Sequence, residues 1–195
     1  MNGKLIVITA PSGAGKTTIA KHLLESYPMV EFSVSATTRP QRPGEVHTRD
    51  YYFLTEAQFR KRIANNSFVE WEEVYKGTFY GTLRDEIESI WKRDKHVLFD
   101  VDVKGAINLK KQYGENALTI FIKPPSMEIL IRRLESRATE SPEKIAERIA
   151  KAKEELQYES YFDEVVINDV LPEALAQTDA LVDAFLFGKK PQSLA

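Results

Sequence analysis

An unbroken apolar run from Lys4 to Thr9, bounded by Gly3 and Pro11, has the signature of a strand buried on both faces of a parallel sheet. The rhythm then changes. Across Lys16–Ser26, Ile19, Ala20, Leu23 and Leu24 recur at helical spacing, and Pro28 ends the segment. The same alternation returns later in the chain. Val97–Asp102 reads as a buried strand ending in acids, Ala106–Tyr113 as a helix and Ala117–Ile122 as a third strand. Beyond Pro124 and Pro125, a helix is predicted over Ser126–Arg137, with Ile129, Leu130 and Leu134 turned inward. Ser141 suits an N-cap and Pro142 a first helical position for another helix reaching about Tyr158. A short strand at Glu164–Ile167 and a last helix from Pro172, carrying Leu175, Leu181, Val182 and Phe185, complete the pattern. Strands alternating with helices imply parallel crossovers and an α/β fold.

Between Val30 and Lys95 the crossover rhythm is lost. Pro40, Pro43 and Gly44 break the chain, a short aromatic strand stands at Tyr51–Leu54, and Thr55–Asn66 forms a helix signal with Thr55 and Gln58 at capping-box spacing. The expected organisation is one core from residues 1–32 and 96–186, an insert at 33–95 and a tail at 187–195. Inserts of this kind often carry specificity above a rigid sheet.

The strongest chemical signal is Ala10-Pro11-Ser12-Gly13-Ala14-Gly15-Lys16-Thr17-Thr18, set between that first strand and the amphipathic helix. This is the context a P-loop requires. Gly13 and Gly15 allow a tight loop whose N–H groups point inward, Lys16 adds a point charge, and the helix N-terminus adds its dipole. Polyphosphate is the natural occupant. Thr17 stands where such loops ligand Mg2+, and Asp100 at the end of the second strand can hold the ion's water shell. The general motif begins with glycine, whereas this chain has Ala10, which is tolerable wherever φ is negative.

Composition changes this picture little. Apolar types make up 43% of 195 residues and charged types 29%, so a packed core is expected rather than disorder. A formal charge of −2 does not advertise nucleic acid or an anionic membrane, so neither is expected as a partner. The apolar runs are strand-sized, no secretory pattern is evident, and with no cysteine there is neither a disulfide framework nor a thiolate metal site. A cytoplasmic protein is expected. His22, His47 and His96 are not spaced as a metal set or a triad.

Three segments go beyond a generic P-loop. APSGAGKTT at Ala10–Thr18, SVSATTRPQRPGEVHTRDYYF at Ser33–Phe53 and FVEWEEVYKGTFYGT at Phe68–Thr82 together resemble guanylate kinases, with support from LFDVDVKGA at Leu98–Ala106 and VIND at Val166–Asp169. The resemblance spans Lys4 to about Phe185. It implies a P-loop NTPase core with a central parallel sheet, an inserted GMP-binding subdomain of mixed strands and a mobile lid at about 137–150. The implied activity is transfer of the terminal phosphoryl group of ATP to GMP, with Mg2+ as cofactor and dGMP as a further acceptor to test.

By the same resemblance, Ser35, Arg39, Arg42, Tyr51 and Tyr80 would hold the GMP phosphate or its surroundings. Glu70, Thr82 and Asp102 would read guanine. A carboxylate suits the adjacent N1–H and N2–H donors, and a hydroxyl suits O6. Arg133, Arg137 and Arg148 match basic positions around the lid, and Asn168 a position near the adenine site. Phe79 stands where tyrosine is more usual, and Gln41 where a basic residue is frequent. Plainer readings exist: Arg39 and Arg42 as solvated loop charges, Glu70 as a strand-edge acid facing water, Arg133 as a surface partner of Glu135 and Glu140, Asn168 as a turn residue. Two other functions share the P-loop signal, namely a kinase with a sugar-phosphate acceptor and a non-catalytic binding module. The first has no need of Glu70, Thr82 and Asp102 together, and the second no need of an intact Gly13, Gly15, Lys16 and Thr17.

Overall fold

A computed structural model describes residues 3–136 and 142–188. In chain order the first half contains β1 (Leu5–Thr9), α1 (Lys16–Ser26), β2 (Val30–Phe32), β3 (Ala36–Thr37), β4 (Tyr52–Phe53), α2 (Glu56–Ala64), β5 (Phe68–Tyr75), β6 (Thr78–Leu83) and α3 (Arg84–Lys92). The second half contains β7 (His96–Asp100), α4 (Val103–Tyr113), β8 (Ala117–Lys123), α5 (Met127–Glu135), α6 (Pro142–Glu155), β9 (Glu164–Ile167) and α7 (Leu171–Phe187).

Five strands form one sheet in the order β2-β7-β1-β8-β9, all parallel, with β1 in the middle. Because β1 has neighbours on both sides and helices on both faces, all of its residues are buried, which is why its sequence does not alternate. Its side chains still divide by parity. Ile6 and Ile8 join Leu98, Ile120 and Ile122 under α1 and α7 through Ile19, Leu23 and Val182. Leu5 and Val7 join Val97 and Phe99 under α3 and α4 through Ile87, Ile90 and Leu109. This is an α/β, P-loop NTPase-like architecture with a central parallel sheet flanked by helices. Among the described residues no helix is long and apolar enough to cross a membrane.

A second sheet, of order β4-β3-β6-β5, mixes directions: β3 pairs parallel to β4 and antiparallel to β6, which in turn pairs antiparallel to β5. It has its own small core of Ala36, Phe59, Phe68 and Phe79, in which Phe59 stacks on Phe68 at a 4.3 Å centroid distance. Thr55 caps α2 in the reciprocal capping box read from the sequence.

Several element ends differ from expectation. The strand expected over Val97–Asp102 stops at Asp100, because Asp102 turns out of the sheet and caps α4, accepting from the Gly105 N–H at 2.8 Å. The α4 helix therefore starts at Val103 and not at Ala106. Likewise, Ser126 is the N-cap of α5 rather than its first residue, and α5 ends at Glu135. The α6 helix ends at Glu155, where the chain tightens into a 3-10 turn over Leu156–Tyr161. Arg137, the expected cap Ser141 and the residues of the predicted tail beyond Gly188 lie outside the described residues.

Candidate active site

Parallel strands aim their C-terminal ends one way, and a cavity of about 440 Å³ opens where β1 and β7 end. Its floor is the loop from Ala10 to Thr18. Gly13 and Gly15 adopt φ of 92° and 100°, where a side chain is strained, and a Cβ on Gly15 would come within 2.2 Å of Asn168 Nδ2. Gly15 is the N-cap residue of α1 and offers no side-chain cap, and the first turn carries no acid, so the α1 terminus presents its N–H groups to an anion. Ala10, Pro11, Ser12, Gly13, Gly15, Lys16, Thr17 and Thr18 all line the cavity. Ala14 is the exception, fully buried, with its carbonyl accepting from Asn168 Nδ2 at 2.8 Å. The Lys16 ammonium pairs with Asp100 and donates to the Val101 carbonyl at 3.3 Å, so both charges meet where β7 ends.

The mixed sheet supplies the opposite wall. Ser35, Arg42, Tyr51, Tyr80 and Glu70 line the same cavity as the phosphate loop. Strand parity explains Phe79: it is 1% exposed in the aromatic core, while its neighbour Tyr80 turns to the cavity. Arg39 is not on the cavity surface. Its guanidinium forks onto Glu45 at 2.7 and 2.5 Å and stacks 4.8 Å over the Tyr51 ring. That fork holds the Glu45 carboxyl down at about 2.

Glu70 is only 8% exposed, so it is not a water-facing strand acid. Burial pushes its carboxyl up to about 7, with Asp102 adding in the same direction and the Thr82 hydrogen bond opposing. The Thr82 hydroxyl donates to Glu70 Oε1 at 2.7 Å. Its single proton is thereby engaged, so in this arrangement Thr82 orients the carboxylate, and donation to a base carbonyl would require that bond to be exchanged. Thr82 itself is fully buried behind Glu70, whereas Asp102 lines the cavity from the α4 terminus.

From the third side, α6 brings Arg148 to the cavity, where its Nη1 donates to Ser12 Oγ at 2.8 Å. Lys151 and Glu155 line it too, and the sequence reading missed both. Their spacing from Arg148, three and seven positions, was the available signal, since it places all three on one helical face. Glu155 is pushed up to about 7, mainly by burial and against the influence of Lys151 and Lys16. Glu72 and Val74 were also missed, although they alternate with Glu70 along β5. Tyr75, at the end of that strand, meets Lys151 at 5.6 Å from its ring centroid, so β5 and α6 touch across the mouth. Arg133 stands outside the cavity lining, donating to the Asn168 carbonyl oxygen at 3.1 Å. Asn168, 5% exposed, is thus a buried strut behind the phosphate loop rather than a turn residue at the surface.

Comparison with known proteins points to one family. The family model described as guanylate kinase matches residues 2–185. A guanylate kinase of Bacteroides thetaiotaomicron is 50% identical over 186 residues, covering 95% of this chain and 91% of the relative. One from Chlorobium chlorochromatii is 47% identical over 185 residues, covering 95% and 97%. The crystal structure of guanylate kinase from Anaplasma phagocytophilum superposes with a TM-score of 0.77 at 30% identity, covering 98% of this chain and 90% of that one. With a P-loop facing a buried carboxylate across one cavity, and half its positions shared with such enzymes over nearly its whole length, the chain belongs to the guanylate kinase family of ATP:GMP phosphotransferases.

Proposed function

We propose that the cavity holds ATP and GMP tip to tip, the triphosphate on residues 10–18 and the monophosphate against the mixed sheet, for in-line transfer of the γ-phosphoryl group. The observation that carries this reading is the continuity of one cavity from Lys16 to Glu70. Residues 33–95 would form the GMP-binding part, and residues 1–32 with 96–186 the ATP-binding core, of which about 137–150 would act as a lid.

At neutral pH the GMP phosphate is mostly dianionic, its second pKa being near 6, and its oxygen is already a competent nucleophile without a general base. Binding then does the work of alignment. Arg42, Ser35, Tyr51 and Tyr80 offer a guanidinium and three hydroxyls to the dianion, while Arg39 adds positive charge from behind Tyr51. Lys16 places its ammonium beside the transferring group, and Arg148 brings a guanidinium from α6 to the phosphate loop. Arg133 acts through Asn168 on the loop, and Arg137 is assigned to the lid. The seam between β5 and α6 at Tyr75 and Lys151 helps to exclude water, which would otherwise compete as acceptor.

Mg2+ fits this corner. Thr17 brings a hydroxyl and Asp100 a carboxylate, both hard oxygen donors. No group of three or more His, Cys, Asp or Glu among the described residues could hold an ion unaided, so phosphate oxygens and water would complete the shell. Bound with ATP, the ion would neutralise charge on the phosphate oxygens. None of this requires nucleic acid or a membrane, and a cytoplasmic setting supplies both nucleotides.

The test is ADP formation with GMP, dGMP, AMP, UMP, CMP and ribose bisphosphate as acceptors. GMP or its deoxy form should exceed AMP by orders of magnitude, because adenine leaves the Glu70 carboxylate unpaired. Preference for any acceptor without guanine would overturn the assignment.

A pH profile provides a second check. Guanine's two donors pair best with ionised Glu70, whose carboxyl in the free protein titrates at about 7. As pH falls from 8 to 6, ionisation of Glu70 alone should therefore lower kcat/KM for GMP roughly tenfold. In E70Q that component disappears, leaving only the inflection of the GMP phosphate near pH 6. A profile identical in both proteins would separate Glu70 from substrate recognition.

A further inference from the structure

Gly105 occupies the third position of α4, a helix that otherwise has no local reason to carry glycine. Its backbone is helical and its φ is not positive, so any residue could adopt the conformation, and alanine would favour the helix. What surrounds it is different. A Cβ there would stand 2.9 Å from Glu70 Oε2, 3.0 Å from Asp102 Oδ1 and 3.5 Å from Glu70 Cδ. The first two are several tenths of an ångström inside ordinary carbon–oxygen contact.

Both carboxylates are held where they stand. Glu70 is buried, its other oxygen is held by Thr82 at 2.7 Å, and its backbone is registered opposite Thr82 across β5 and β6. Asp102 is held by the Gly105 N–H itself at 2.8 Å, as the cap of the helix. Moving them apart costs hydrogen bonds, and moving them together costs repulsion between like charges already facing one another.

From this geometry we infer that Gly105 is a specificity-determining position: by presenting no side chain, it keeps the space in which the Glu70 carboxylate is aimed at the guanine edge. It is a positioning residue, acting through Glu70 and Asp102 rather than on the nucleotide. The inference rests on the reading of Glu70 as the group that recognises guanine.

The experiment is a double-mutant cycle of G105A and E70Q, with KM for GMP, KM for ATP, the GMP:AMP preference and Tm as readouts. G105A should raise KM for GMP about tenfold or more and narrow the GMP:AMP preference. KM for ATP should stay as it is, and Tm should change by no more than a few degrees, because the gain in helix propensity offsets the cost of displacing the carboxylates. In the E70Q background, G105A should add little further loss, since the group it displaces no longer carries the recognition. Additive losses, a KM for GMP unaffected by G105A, or a Tm lowered by more than a few degrees would each overturn the inference while leaving Glu70 in place. If E70Q alone left GMP use intact, the underlying reading of Glu70 would fall first and the inference with it.

Discussion

Lys16→Ala should reduce kcat on the order of 10³-fold while GMP still binds. The ammonium sits at the N-terminus of α1, where the loop N–H groups already favour an anion, and in the proposed mechanism it follows the phosphoryl group as negative charge spreads over its oxygens. A contact realised mainly in that transition state appears in kcat more than in KM. Removing Lys16 also leaves Asp100 without its cation partner, so part of any loss of ATP affinity comes from the exposed carboxylate. Single-turnover measurements with saturating ATP separate the two effects, and calorimetry with GMP checks that the opposite wall is intact. Turnover at the wild-type level would remove Lys16 from the mechanism.

Glu70→Gln should lower kcat/KM for GMP on the order of 10²- to 10³-fold without harming the fold. An amide offers one acceptor and turns its N–H donors toward guanine's own donors, and it loses the charge that strengthens the pairing. The stability effect has the opposite sign. A carboxyl held at about 7 in the folded protein, above its ordinary 4.5, opposes folding: the penalty is absent below pH 4.5 and fully developed above pH 7. Neutral glutamine escapes it, so at pH 8 the Tm of E70Q should equal or exceed that of the wild type. Thermal melts beside acceptor kinetics decide the matter, and equal losses toward ATP and GMP would indicate misfolding rather than lost recognition. An acid kept buried at a cost to stability is what a recognition site demands.

Where a functional feature lies in one contiguous stretch of chain, sequence pattern sufficed to find it. The strand Leu5–Thr9, the glycine-bearing turn and the helix Lys16–Ser26 follow one another directly, so their junction was legible without knowledge of anything distant. Features created by register were harder. Whether Thr82 faces a nucleotide or a neighbouring carboxylate depends on its pairing opposite Glu70 beside an irregularity in β5, and neither local composition nor periodicity records that alignment. Asp102 was misread as strand because apolar Val101 and Val103 flank it, whereas the decisive fact, its hydrogen bond to Gly105, belongs to the helix beyond. Arg39 illustrates a third limit, because an arginine within reach of a substrate phosphate and one forked onto Glu45 look alike in sequence. The face of α6 was legible in principle through Arg148, Lys151 and Glu155, but only once something showed which side of that helix the site lay on.

The hydrogen bond from Asn168 to the Ala14 carbonyl joins residues 154 positions apart, and both strands that flank β1 begin at His96 or later. The phosphate loop therefore precedes, in order of synthesis, the strands and the asparagine that support it. Until residue 168 has joined the fold, the Ala14 carbonyl lacks the amide that holds it from behind. The rigid cradle is thereby tied to contacts of high sequence separation, which form late in folding.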